Sequence, residues 1–144
     1  MQLDSIRAYM GLESNEIIGL VREGVPAIAL DHLARAMRVP TARLLMWMDW
    51  PATTVKRKIR ARSILSKSEG EQILLAVRLI SQVQQMINES GSPEGFDAPS
   101  WLANWLAEPN PALGHLPPGE YMDTTEGLNL LNDILARMRS GAYM

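Results

Sequence analysis

Apolar residues recur at three- and four-residue spacing along most of the chain, and no stretch alternates strictly with a period of two between turn signals. The pattern therefore predicts helices and no strands, an all-α fold. Two short helices are expected over 3–10 and 15–22, divided by Gly11 and closed by Gly24-Val25-Pro26, because glycine ends a helix easily and proline cannot continue one. Ile28, Leu30, Leu33, Ala34 and Met37 then mark a helix over 27–39. Pro40-Thr41 breaks it ahead of a second, over 42–48, and Asp49-Trp50-Pro51 breaks that ahead of a third, over 52–63, with Val55 and Ile59 on one face. Three short helices with tight corners outline a helix-turn-helix module.

Ser66-Lys67-Ser68-Glu69-Gly70-Glu71 holds two overlapping S-x-x-E capping boxes, and the stripe Ile73, Ala76, Val77, Ile80, Val83 and Ile87 follows on one long helix. The turn-rich segment "NESGSPEG", residues 88–95, reads as a hinge. Beyond it a short helix is expected over 97–106, then a proline-rich corner over 108–119. The final helix is predicted to start at a D-x-x-E cap, Asp123 to Glu126, and to bury Leu128, Leu131, Ile134, Leu135 and Met138. Arg137 and Arg139 complement the dipole of its last turn, and Gly141 is placed to end it. The chain divides on this reading into a helix-turn-helix DNA-binding and dimerisation region, 1–65, a connecting long helix and hinge, 66–95, and a small C-terminal helical domain, 96–144.

Charge changes the picture most. Residues 1–68 carry eleven Lys/Arg against six Asp/Glu, a balance of +5, and residues 69–144 carry three against ten, a balance of −7, which together make the −2 of the whole chain. A polyanion, if bound, is bound by the first half. Residues 51–68 hold six basic groups and no acidic one. Lys56, Arg57, Lys58, Arg60 and Arg62 on the third helix can neutralise phosphates, about six such contacts giving a slope of roughly −5 in log K against log salt. Thr53 and Thr54 at its start can reach base edges or phosphates. The alternative groove-entering helix is 42–48. The same cations also fit a solvated face that binds nothing.

Catalytic chemistry is not evident. The chain has no cysteine, and its histidines, His32 and His115, are far apart, without metal-ligand spacing. His32 is expected on an exposed helix face beside Asp31, and His115 in a solvated turn. No phosphate-cradling glycine motif or nucleophile elbow is present. The expectation is a non-enzymatic protein with no metal and no cofactor. No apolar run nears the roughly 18 residues a membrane helix needs, and no leader pattern opens the chain, so a soluble cytoplasmic protein is expected. The segment Leu44 to Trp50 reads as module core or, alternatively, as part of a dimer interface; Trp101 and Trp105 read as core.

"TTVKRK", "LSKSEGEQILLAVRLI", "WLAEPNPALGHLPPGEYMDTTEG" and "ILARMRSGAYM" together resemble the antitoxins of RES-Xre type II toxin–antitoxin systems, named for their Xre/MbcA/ParS-type toxin-binding domain, over residues 25–144. The resemblance implies an N-terminal region that binds operator DNA, repressing transcription of its own operon, and a C-terminal domain that binds a RES-domain toxin. Such toxins consume NAD or transfer ADP-ribose from it, and the antitoxin's C-terminal end lies near the entrance to their active site. Trp105, Leu106, Pro109, Asn110, Leu113 and Gly114 would build the corner, Asp123, Thr124 and Gly127 the start of the final helix. Asn110, His115, Leu131, Arg137, Arg139, Gly141, Ala142, Tyr143 and Met144 would meet the toxin. The expected assembly is a homodimer within a larger toxin–antitoxin complex. The family commonly has a second glycine where this chain has His115, so the corner's backbone either differs or accepts a side chain. A stand-alone helix-turn-helix regulator whose C-terminal domain only dimerises is the alternative, followed by an interaction module that binds no DNA.

Overall fold

Eight α-helices account for most of the described residues: α1 Asp4–Ala8, α2 Ser14–Glu23, α3 Ala29–Met37, α4 Thr41–Met48, α5 Ala52–Arg60, α6 Lys67–Glu89, α7 Ala98–Ala107 and α8 Thr125–Ser140. The structure, a computed structural model, describes residues 4–91 and 93–141. Position 3, where the first helix was expected to begin, and residues 142–144 lie outside the described residues. Two 3-10 turns, Pro111–Leu113 and Pro118–Tyr121, form the corner between α7 and α8. The all-α expectation holds, and no described helix is long and apolar enough to cross a membrane.

Helix α6 organises the core. Its predicted stripe is buried at Ile73, Ala76, Val77, Ile80 and Val83, and Leu74, Leu75 and Leu79 are buried as well. A helix apolar nearly all round must be surrounded, and α2, α3, α7 and α8 all pack against it. The first of the two possible capping boxes forms: the Ser66 hydroxyl accepts the Glu69 N–H at 3.2 Å and Glu69 Oε1 accepts the Ser66 N–H at 2.9 Å. Glu71 of the second box instead accepts the hydroxyl of Thr125 at the start of α8.

Three local expectations are corrected. His32 is buried, at 3% exposure, not solvated; α3 is covered by α1, α4, α6 and α7, so its buried face is wider than one stripe. The cap of α8 is Thr124, whose hydroxyl accepts the Gly127 N–H at 2.9 Å, rather than Asp123. Helix α5 ends at Arg60, three residues early. Arg62 turns left-handed at φ 56°, and residues 63–65 return beside α3's entry, where Ala27 N–H donates to Ser63 O at 2.9 Å and Leu65 N–H to Val25 O at 2.8 Å.

The N-terminal module and the C-terminal corner share buried contacts. Gln72 of α6, 7% exposed, accepts the Trp50 indole N–H at 2.9 Å and donates to Met122 O at 3.1 Å and Met48 O at 3.4 Å. One amide thus joins the α4–α5 turn, the central helix and the approach to α8. Gly119 lies directly against the Trp47 indole, where a Cβ would collide with the ring. At Gly127 a Cβ would meet the backbone carbonyl of Tyr121.

Candidate functional site

Helix α5 is held by Val55, fully buried, and Ile59, packed on the core. That anchoring turns Thr53, Lys56, Arg57 and Arg60 outward, all exposed, with Thr54 half-buried; Arg62 is exposed just beyond the helix end. The α4–α5 turn is made by Asp49, left-handed at φ 60°, whose N–H bonds back to α4. Leu44, Leu45, Trp47, Met48 and Trp50 are buried, so most of that apolar segment is core; Met46 alone of its large side chains is 65% exposed.

Lys58 departs from its predicted companions. It is half-buried and its Nζ meets Glu69 Oε1 at 3.0 Å, so its charge is already answered within the chain and it is not an open phosphate ligand. Burial pushes the Glu69 carboxyl up, but the Ser66 N–H, the Lys58 ammonium and the Ser66 hydroxyl outweigh it and hold the group below its ordinary 4.5. Its stabilising contribution is therefore complete above pH 4.5 and is lost as the pH falls through the lowered value. Acidification below pH 4.5 should lower the melting temperature less steeply in Glu69→Gln than in the unaltered chain, as thermal unfolding across that range would show. Arg43 was missed from the sequence. It is exposed, and its guanidinium lies 5.6 Å from the Trp47 ring centroid; the available signal was the four-residue spacing of cation and indole on one helix.

At the other end, Asn110 ties the corner together. Its Oδ1 accepts the Ala112 N–H at 2.9 Å, its N–H donates to Leu116 O, and its own carbonyl accepts from Leu113 and His115. It is 9% exposed, so it shapes the corner more than it presents itself. Gly114 and His115 are both left-handed, φ 63° and 67°. The corner accepts a side chain where a glycine is common, and His115 is exposed. His115→Gly should relieve the left-handed strain and raise stability by about 0.5–1 kcal/mol after the flexibility it adds to the unfolded chain. His115→Val should lower it, as denaturant midpoints would register.

Leu131 is the clear correction among the expected toxin contacts. It is wholly buried where α8 packs on α6, so it offers no surface to a partner. Arg137 is exposed. Arg139 folds back on α6, its Nη1 donating to Gln82 Oε1 at 2.9 Å and Gln85 Oε1 at 3.0 Å, and its Nε facing Glu89 at 3.5 Å. Gly141 closes α8 at φ 77°. Ala142, Tyr143 and Met144 lie outside the described residues. Trp101 and Trp105 stack at 6.4 Å on α7, both half-buried.

Residues 16–78 match the antitoxin Xre-like helix-turn-helix domain, and residues 94–141 match the antitoxin Xre/MbcA/ParS C-terminal toxin-binding domain. A Prs ADP-ribosylating antitoxin from Sphingobium sp. (strain YBL2) is 36% identical over 126 residues, 88% of this chain and 79% of the relative. The chain belongs to the Xre/MbcA/ParS antitoxin family. The antitoxin's helix-turn-helix match runs from within α2 through α5 to the first half of α6, and its toxin-binding match contains α7, the corner and α8. Arg137, Arg139, Asn110 and His115 thus fall within the toxin-binding match, and the exposed cations of α5 within the other.

Proposed function

We propose that this antitoxin neutralises a RES-domain toxin, one that consumes NAD or transfers ADP-ribose from it, by seating the end of α8 over the toxin's active site, and that it represses its own operon by binding operator DNA through α5. The observation that carries the first half is the tethered end of α8. Arg139 is bonded to Gln82 and Gln85 and faces Glu89, and Gly141 caps the helix. A helix end already fixed in place loses little conformational freedom when a partner takes it, which favours tight occlusion. The relative's description as a Prs ADP-ribosylating antitoxin supports ADP-ribose chemistry in the toxin.

The exposed Lys56, Arg57 and Arg60 support the DNA half. A homodimer would set two copies of α5 about one helical turn apart on a palindrome, roughly 34 Å. Co-expression with the adjacent gene product, affinity purification and an NAD assay test the neutralising half. A stable complex with suppressed NAD loss is expected, and removal of residues 139–144 should restore NAD loss while sparing operator binding. NAD loss that continues at full rate beside the intact antitoxin would sink this reading.

A further inference from the structure

Next to the tethered end of α8 lies a shallow cleft of about 150 Å³. It is walled by Gly11 and Leu12 in the α1–α2 connection, by Arg78, Ser81, Gln82 and Gln85 on one face of α6, and by Arg139 of α8. No carboxylate lines it; Glu89 reaches Arg139 Nε only from outside the lining.

The hydrogen-bonding capacity of this lining is lopsided. Gln82 and Gln85 both commit their Oε1 acceptors to Arg139, which leaves their Nε2 groups as donors. The Ser81 hydroxyl already accepts the Gly11 N–H at 3.0 Å and donates to Val77 O at 3.3 Å. Arg78 gives Nη2 to Asn129 Oδ1 at 2.7 Å, yet its Nε is buried with no hydrogen-bond partner among the described residues. Two arginines, one of them with its Nε closed off from solvent, and two glutamine amides whose Oε1 acceptors are engaged therefore line the cleft. A group that only accepts and carries negative charge satisfies such a set, and a carboxylate does both.

We propose that this cleft is the docking point for an acidic side chain of the toxin. The proposal rests on the toxin-binding reading above and adds Arg78, Gln82 and Gln85 to it. A nucleic-acid strand is disfavoured as occupant, because residues 69–144 carry a balance of −7 that repels a polyanion. A single carboxylate on a protein surface brings one charge to a spot with two arginines, of which Glu89 offsets only Arg139, and the cleft adjoins the helix end that the toxin is proposed to take.

The test uses the full-length antitoxin and the purified adjacent-gene toxin. Toxin affinity is measured by calorimetry for the unaltered chain and for the double variant Gln82→Glu/Gln85→Glu, alongside operator binding and thermal unfolding. Both changes keep side-chain shape and give Arg139 charged acceptors, so the fold is retained while the cleft's charge is cancelled. A loss of about tenfold or more in toxin affinity, with operator binding and melting temperature unmoved, is expected. Arg78→Gln should weaken the toxin in the same direction. Toxin affinity within about twofold of the unaltered chain in a folded double variant overturns the proposal alone. An unaltered chain that binds no toxin overturns the toxin-binding reading and this proposal with it. Saturable binding of inorganic phosphate to the free antitoxin, with toxin affinity unmoved in the double variant, overturns it in favour of a free-anion site.

Discussion

Lys56→Glu/Arg57→Glu should lower operator affinity by about a hundredfold or more and reduce the salt slope by about 2, since two phosphate contacts are removed and two repulsions added. Both side chains are exposed on α5, so the folded chain should melt as before. Fluorescence anisotropy titrations of an operator fragment at several salt concentrations would read both quantities. Lys58→Glu supplies the contrast. Its Nζ sits 3.0 Å from Glu69, and reversal there sets two carboxylates together in a half-buried place, so the expected result is a lower melting temperature with the salt slope unchanged. An unmoved affinity and slope in the double variant would show that α5 is not the DNA-facing surface, and would shift attention to Arg43 on α4.

Gln72→Leu should cost about 3–5 kcal/mol of stability. Leucine fills a similar volume, so the loss reports polar groups left unmade rather than a void. The Trp50 indole N–H and the Met48 and Met122 carbonyls would each lose a bond to this amide, and an unsatisfied buried group costs roughly 1–3 kcal/mol. Urea unfolding followed by tryptophan fluorescence and by far-ultraviolet circular dichroism would show it, the two probes moving together because the bond set spans both ends of the chain. A loss under about 1 kcal/mol would mean that these groups find other partners and that the amide is not the junction it is taken to be.

Helix α8 was readable almost from end to end, since its apolar stripe, its terminal cations and its closing glycine are all local features. The same holds for the capping box of α6. What escaped was set by which neighbour covers which face. Periodicity assigned Leu131 to the buried stripe, while the family resemblance made it a contact; packing on α6 decides for burial. His32 looked solvated because a charged neighbour, Asp31, stands beside it, but Asp31 turns to the Thr41 hydroxyl while α3 is enclosed. Lys58 could be counted with the basic cluster only until the fold brought Glu69, eleven residues on, within 3.0 Å. The cleft beside Arg139 joins residues from three separate stretches of chain and carries no motif in any of them.

The close fit of Gly119 against Trp47 bears on how such proteins can be recombined. A helix-turn-helix domain and a toxin-binding domain that touched only through their connection would be interchangeable cassettes. Here the indole of one cassette occupies the space a side chain of the other would need, and Gln72 knots both to the same helix. A graft that exchanged one half would bring a mismatched seam at Trp47–Gly119 and at Gln72, so either half can be replaced only together with the residues that meet it there.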